Sequence, residues 1–182
     1  MGGRPAEPQL VIVDPETGRT ESVGVGSLVD IAAGGRFGWV VAKDVEFASS
    51  GGSLDRVDPR TRAVAHFQLE DDPSAVAYGA GAVWVLFASE VKRFDPRGRR
   101  TGSVDLSGLG YDAGTGDIAV SAEAVWVTAS GEKRVLRIDP KTAKLDGDPV
   151  AIPVRDPLEV AAVGDSAWIA VKDEPPLQLG PG

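Results

Sequence analysis

The sequence has no cysteine and only one histidine, His66, among its 182 residues. The absence of cysteine excludes disulfide bonds, thiolate zinc sites and cysteine nucleophiles. The motifs of serine hydrolases, P-loop nucleotide-binding proteins, zinc-dependent proteases and dithiol redox proteins are also absent. A metal site built on paired imidazoles is excluded because His66 has no second histidine to join it. These absences argue against the enzyme classes that the named motifs define.

Basic clusters and long apolar runs are missing as well. The chain has 19 Lys and Arg against 27 Asp and Glu, a net charge of −8. Because phosphate backbones are bound by clustered basic side chains, we expect no nucleic-acid partner, whereas an acidic surface favours cationic partners. The longest uncharged run, residues 73–89, is broken by glycines and predicts two strands and a turn, not a membrane span.

The segment Met1–Pro5 lacks the apolar core of a signal peptide. We expect a soluble protein with no membrane partner, and the compartment stays open.

Four tryptophans mark an internal repeat: Trp39, Trp84, Trp126 and Trp168, with separations of 45, 42 and 42 residues. The ten residues that end on each tryptophan align without a gap, as DIAAGGRFGW, AVAYGAGAVW, DIAVSAEAVW and EVAAVGDSAW. A second motif recurs as VIVDP, DRVDP, KRFDP and LRIDP. Two anchors that keep the same order four times indicate four structural repeats.

Each repeat has the pattern of four short strands. In one copy, a small-residue strand over residues 117–120 leads to an aromatic strand over 125–127, and a third strand ends at Asp139-Pro140. The aspartate can accept hydrogen bonds from backbone N–H groups just beyond the turn. The pattern predicts an all-β protein, a β-propeller of four four-stranded antiparallel blades.

The chain starts and ends in the middle of a repeat. It enters a repeat at the Asp-Pro strand, residues 9–15, and its last tryptophan strand is residues 168–171. We therefore predict one domain over residues 1–182, in which residues 9–27 and 158–171 share the closing blade. The other blades are 28–72, 73–115 and 116–157. The alternative is a chain cut at arbitrary points.

Two closures satisfy this phase. One chain can close as a four-bladed monomer, or two chains can join head to tail as an eight-bladed homodimer. The inner-strand positions Ala32, Ala77, Ala119 and Ala161 are all alanine, which lets blades crowd near the axis. On that ground we favour the monomer.

The segments GAVWVLF, KRFDPRG, EAVWVTAS and LRIDPKTA resemble the repeats of virginiamycin B lyase-like and related bacterial propellers with 40-residue repeats. The resemblance covers roughly residues 9–171. It implies a propeller fold, usually of six or seven blades, and, for the lyases, histidines and a metal on the central face. Only His66 is present, on a predicted outer fourth strand, so no catalytic residue carries over.

The position nine before each tryptophan is Asp30, Ala75, Asp117 and Glu159. Ring symmetry would bring the three carboxylates around the axis, where Ca²⁺ or Mg²⁺ could bind them or one could act as acid or base. Asp30, Asp117 and Glu159 are thus the candidate metal ligands and catalytic residues. Alternatively, each side chain turns to backbone N–H groups at the strand start.

Two further sets of residues stand out. Ile12, Arg56, Arg93 and Arg137 precede the Asp-Pro aspartates by two positions. We predict that these arginines pack their stems across neighbouring strands and pair with acids. Candidate ligand-binding residues lie in three loops: Phe47, Tyr111, Asp112 and Arg155.

The sequence favours a non-enzymatic propeller that binds a small molecule or a protein through its loop face and axial channel. The alternative is a lyase or cyclase of a small natural product that uses the axial carboxylates. A third hypothesis is a structural fragment of a larger sensor.

Overall fold

A computed structural model of the chain describes residues 9–44, 51–109, 116–129, 133–152, 157–171 and 174–179. These residues are almost entirely β-structure, with one 3-10 turn at Ser107–Leu109. The strands are β1 Gln9–Val13, β2 Thr20–Gly24, β3 Ser27–Gly34, β4 Phe37–Lys43, β5 Gly52–Val57, β6 Val64–Leu69, β7 Pro73–Gly79, β8 Ala82–Phe87, β9 Glu90–Phe94, β10 Arg100–Asp105, β11 Ile118–Val120, β12 Val125–Ala129, β13 Arg134–Asp139, β14 Lys144–Leu145, β15 Val150–Ala151, β16 Pro157–Val163, β17 Ser166–Val171 and β18 Glu174–Leu179.

Three sheets form complete blades of antiparallel strands. Blade A is β3-β4-β5-β6 and blade B is β7-β8-β9-β10. Blade C is β11-β12-β13 with a fourth strand that is split into β14 and β15. The split falls at Asp146–Pro149, where Gly147 has φ +84° and proline has no N–H to donate. The strands predicted for the repeat around Trp126 are confirmed.

The remaining strands lie at the two ends of the blade series. β1 and β2 pair only with each other, forming the N-terminal hairpin, and β16-β17-β18 form the C-terminal sheet. The predicted blade shared by the two ends of the chain is not formed, because β17 takes β18 as its partner and not β1. β18 follows β17 directly, so this pairing closes a far shorter loop than pairing with β1.

The hydrophobic core lies between successive blades. Trp39 of blade A packs against Val76 and Val85 of blade B, and Tyr78 stacks on it with ring centroids 6.3 Å apart. Trp84 of blade B packs likewise on blade C. Trp126 packs on the C-terminal sheet. The hairpin covers the outer half of blade A through Leu10, Ile12, Val23 and Val25. Each blade therefore buries its tryptophan against the next.

The Asp-Pro turns follow the predicted chemistry. Asp14 Oδ1 accepts the N–H of Glu16 at 2.9 Å, and Asp58 Oδ1 accepts that of Arg60 at 2.9 Å. The turns after β9 and β13 repeat the contact through Asp95 and Asp139. Backbone N–H donors hold the pKa of each of the four carboxyls below its ordinary value: Thr17 and Glu16 at Asp14, Arg60 at Asp58, Arg99 and Arg97 at Asp95, and Lys141 at Asp139. The prediction made for this motif is confirmed in all four copies.

The run from Pro73 to Ser89 forms β7 and β8, as predicted. Within the described ranges, no helix is long and apolar enough to cross a membrane.

Close contact between inner strands makes one glycine hard to replace. A Cβ on Gly79 would lie 2.8 Å from Val120 Cβ and 2.9 Å from the Val120 carbonyl oxygen. We expect Gly79→Ala to force blades B and C apart and to lower the free energy of unfolding by about 1–3 kcal/mol. Gly108→Ala, at a glycine with open space around it, should change stability by less than about 0.5 kcal/mol. Chemical denaturation measures both, and equal effects would contradict this account of the packing.

Candidate functional site

The axial carboxylates lie where the inner strands leave regular pairing. A register shift falls just before Asp30 in β3, Ala75 in β7 and Glu159 in β16. The inner strand of a blade has no strand neighbour on its axial edge, so its N–H groups there need other acceptors. The side chain at this position is placed to supply one.

Asp30 bridges blades A and B through their backbones. The N–H of Ile31 donates to Oδ1 at 2.7 Å, and the N–H of Val76 in blade B donates to Oδ2 at 2.8 Å. Both oxygens are therefore engaged, one within β3 and one across the blade boundary. This is the alternative foreseen from sequence, in which the carboxylate turns to backbone N–H groups, extended to the neighbouring blade.

Asp117, two repeats after Asp30, makes the same two contacts. Its Oδ1 accepts the N–H of Ile118 at 2.7 Å, and its Oδ2 accepts the N–H of Val160 in the C-terminal sheet at 2.8 Å. Its own N–H donates to Thr128 Oγ1 at 3.0 Å. The carboxylate thus joins blade C to β16 as Asp30 joins blade A to blade B.

Two aspartates therefore cap four equivalent N–H groups. Each serves its own inner strand and the following one, so the intervening position is free of this task. That explains why Ala75 can interrupt the row of acids. Glu159 occupies the same intermediate place and is exposed, and its side chain makes no hydrogen bond or ion pair with any described residue. Of the three candidate acids, only Glu159 has no described N–H donor to its carboxylate.

Burial raises the pKa of the Asp117 carboxyl. The N–H donors of Val160 and Ile118 oppose that rise, and the negative charges of Asp30 and Glu159 add to it. Asp30 and Glu159 are thus each close enough to Asp117 to interact with it electrostatically. No set of three or more His, Cys, Asp or Glu side chains with a metal-binding arrangement occurs in the described part of the chain. Binding of Ca²⁺ or Mg²⁺ by Asp30, Asp117 and Glu159 stays a prediction.

The arginine row also joins blades. Arg56 stacks on the Phe37 ring at 4.6 Å and donates to the Pro96 carbonyl oxygen of blade B at 2.6 Å. Arg93 lies over Trp84 at 5.7 Å, and Arg137 lies over Trp126 at 5.9 Å. Arg137 additionally pairs with Asp146 and with Asp165 of the C-terminal sheet. Packing across the neighbouring strand is confirmed for all three, and pairing with an acid for Arg137.

Sequence reasoning missed two buried charges at one repeat position. Asp55 is buried on β5, and its Oδ1 lies 2.7 Å from Nδ1 of His66, which is on the fourth strand as predicted. Lys92 is buried on β9 and donates to Asp71 at 2.7 Å. Burial lowers the pKa of Lys92, but hydrogen bonds to Asp71 and Glu90 outweigh it and leave that pKa raised. The repeat alignment could have revealed them, because it places Asp55 and Lys92 at the position where the other repeats have Val11 and Leu136.

The candidate loop residues Phe47, Tyr111, Asp112 and Arg155 lie outside the described residues. The strand ends that flank them share one edge of the blades, because Ser27, Lys43, Gly52 and Leu69 are in register across blade A. We call this edge, which also carries the axial carboxylates, the loop face. The Asp-Pro turns lie at the opposite edge, the turn face.

Comparisons with known proteins show the fold and not the activity. No family model matches the sequence, and no curated protein matches it. Streptogramin B lyase superposes with a TM-score of 0.71 at 13% identity over 96% of this chain and 62% of the lyase. The Neurospora crassa Pan2 WD40 domain gives 0.65 at 12% identity, over 90% of this chain and 53% of that one. Kuenenia stuttgartiensis hydrazine synthase gives 0.62 at 17% identity, over 79% and 41%.

The chain therefore has a β-propeller-like fold and spans between 41% and 62% of these three proteins. The likeness to a streptogramin B lyase agrees with the resemblance seen in the repeats as far as the propeller class. At these identities it does not extend to one family within that class.

We expect Asp117→Ala to lower the free energy of unfolding by about 2 kcal/mol at neutral pH, because it leaves the N–H groups of Ile118 and Val160 without their acceptor. Glu159→Ala is the matched control in the same row, and it should leave stability nearly unchanged. Urea denaturation of both variants measures the difference. Equal stability of Asp117→Ala and the wild type would refute the capping role.

The effect of Asp117→Ala should grow as pH falls from 7 towards 4. With its pKa raised above the ordinary value of about 3.9, folded Asp117 binds a proton that the unfolded chain does not. The contribution of Asp117 to stability is thus largest below the pKa that its carboxyl has in the unfolded chain. It falls as pH rises through the higher pKa of the carboxyl in the folded protein. Denaturation of wild type and variant over a pH series gives the difference directly, and a difference that shrinks towards pH 4 would contradict the raised pKa.

Proposed function

We propose that this chain is a non-enzymatic propeller module of four repeats that binds a protein or small-molecule ligand at its loop face. One observation carries the proposal: the two half-buried axial aspartates are consumed by backbone N–H groups that hold successive blades together. Carboxylates used in this way build the scaffold and are not free for acid–base chemistry on a substrate. What remains for function is the surface that the scaffold presents.

Charge on the loop face favours a basic partner. Exposed acids surround the blade A and blade B end of this face: Asp44, Glu70, Asp71, Asp72 and Asp105. The buried Lys92 ammonium is already neutralised by Asp71 and Glu90, so it does not offset the remaining acids. The turn face carries both signs of charge, with exposed arginines at Arg60, Arg97 and Arg99 and exposed acids at Asp14 and Glu16. Because this end of the loop face has five exposed acids and one exposed lysine, Lys43, we expect it to attract a cationic ligand.

The proposal predicts where a cationic probe binds. An oligolysine peptide added to isotope-labelled protein should shift the backbone amides of Asp44 and of residues 69–72. An oligoglutamate of equal length should not. Glu70→Lys should weaken oligolysine binding by about two- to fivefold, whereas Glu16→Lys on the turn face should not. Shifts that concentrate on the Asp-Pro turns would sink the loop-face assignment.

A lyase or cyclase is the second candidate, and Glu159 is the observation that favours it. It is the one axial acid that is exposed and without a described partner, and its charge acts on the raised pKa of Asp117. The structural likeness to streptogramin B lyase suggests a first substrate to try.

We expect the wild-type protein not to turn over streptogramin B. Mass spectrometry of the reaction mixture measures this. Turnover that disappears in Glu159→Gln but persists in Glu123→Gln, at an exposed acid in the turn between β11 and β12, would overturn the non-enzymatic proposal in favour of the enzyme.

A further inference from the structure

The two ends of the blade series expose apolar side chains that every internal blade boundary buries. Among the described residues, eight large apolar side chains are exposed, and six of them belong to the N-terminal hairpin, β3 or the C-terminal sheet. They are Val11, Val13, Leu28, Ile31, Val163 and Trp168. Such a concentration at two surfaces marks sites of association.

The chain makes one apolar contact between blades three times, and Trp168 and Ile31 occupy the two positions of that contact without making it. At each internal boundary, the tryptophan of one blade packs with the residue eight positions before the next tryptophan: Trp39 with Val76, Trp84 with Ile118, and Trp126 with Val160. All six of these side chains are buried. In contrast, Trp168 is 43% exposed and Ile31 is 52% exposed.

The surface beside Trp168 is shaped to receive such a side chain. A hollow of about 290 Å³ is lined there by Glu159, Val160, Ala161, Trp168, Ile169 and Ala170. Trp168 and Ala170, which line it, lie on the side of β17 that faces the next blade elsewhere, since Ala167 and Ile169 on the other side pack on blade C. The first side chain that the repeat would place against it is Ile31.

The hairpin shows the same lack of a neighbour. Val11 and Val13 of β1 are 53% and 60% exposed. The equivalent residues of the complete blades, three and one before the Asp-Pro aspartate, are buried: Asp55 and Val57, Lys92 and Phe94, Leu136 and Ile138. Among the described residues, the hairpin therefore sits on blade A like the outer half of a preceding blade, and β1 and β2 pair only with each other.

The register of the missing pairing follows from the complete blades. Trp39 is opposite Arg56, Trp84 opposite Arg93 and Trp126 opposite Arg137. By the same rule Trp168 of β17 would lie opposite Ile12 of β1. In the single chain β18 holds that edge of β17, with Gln178 opposite Trp168. Joining the two ends requires β1 to replace β18 on β17.

We propose that two copies of this chain join head to tail. The C-terminal sheet of one copy receives the hairpin and blade A of the other, and this happens at two identical joints. Within one chain the two surfaces do not meet, because both stay exposed in the same structure. Each joint places Ile31 of one copy against Trp168 of the other and pairs β1 with β17 in trans. The blade predicted to be shared by the ends of one chain is thereby shared between two.

Light scattering behind size-exclusion chromatography tests the proposal on the full chain. We expect a mass of twice 18.9 kDa for the wild type. Trp168→Glu and Ile31→Glu should each give a monomer, because each places a charge in both joints. Val64→Glu is the matched control, since Val64 is an exposed apolar residue on β6 away from both ends, and it should stay dimeric.

Mixing the two monomeric variants adds a test that misfolding cannot mimic. The Trp168 of the Ile31→Glu copy still matches the Ile31 of the Trp168→Glu copy, so the mixture should recover a dimer with one intact joint. A wild-type monomer whose Trp168 fluorescence is open to acrylamide quenching overturns the proposal. A monomer with Trp168 protected also overturns it, in favour of ring closure within one chain. Assemblies larger than two overturn the two-joint closure.

Discussion

The contact of a tryptophan with the inner strand of the next blade is the interaction on which the rest of this structure depends. It is directional, because the ring points forward along the chain at Trp39, Trp84 and Trp126 and each lands on the following blade. A blade cannot bury both of its faces alone, so each one is stable only between two neighbours. The arginines that lie over aromatic rings and reach into the next blade repeat this direction in polar form.

The axial edge is governed by a second constraint, the unpaired N–H groups of the inner strands. An aspartate with two oxygens can serve two strands, and Asp30 and Asp117 do so at the two boundaries where they occur. The aspartate caps therefore recur every second blade, whereas the tryptophan contacts recur at every blade. Ala75 and Glu159 fall at the positions that the longer period leaves free. The cost is a half-buried carboxylate with a raised pKa at Asp117.

The strands, the Asp-Pro turns and the arginine stacking could be predicted from sequence because each depends on residues within one repeat or on an alignment of repeats. The partner of the Asp30 carboxylate could not, since Val76 N–H is a backbone group that carries no sequence signal. The pairing of β17 with β18 was also hidden, because Glu174–Leu179 has no Asp-Pro motif and lies outside the repeat alignment. The pairing of buried Asp55 with exposed His66 depends on the register of β5 and β6, which the sequence does not show.

These two periods separate the assembly of the scaffold from its function. The closure that we propose uses Trp168, Ile31 and the edge of β1, which are exposed at the two ends of the blade series. The binding that we propose for the loop face rests instead on exposed acids such as Asp44, Glu70 and Asp72. The aspartate caps lie at the loop face, but their partners are backbone N–H groups of the inner strands, and the tryptophan contacts are made between strand side chains. A propeller built this way can change its ligand by changing loops alone, which is why the repeat reveals so much about architecture and so little about the ligand.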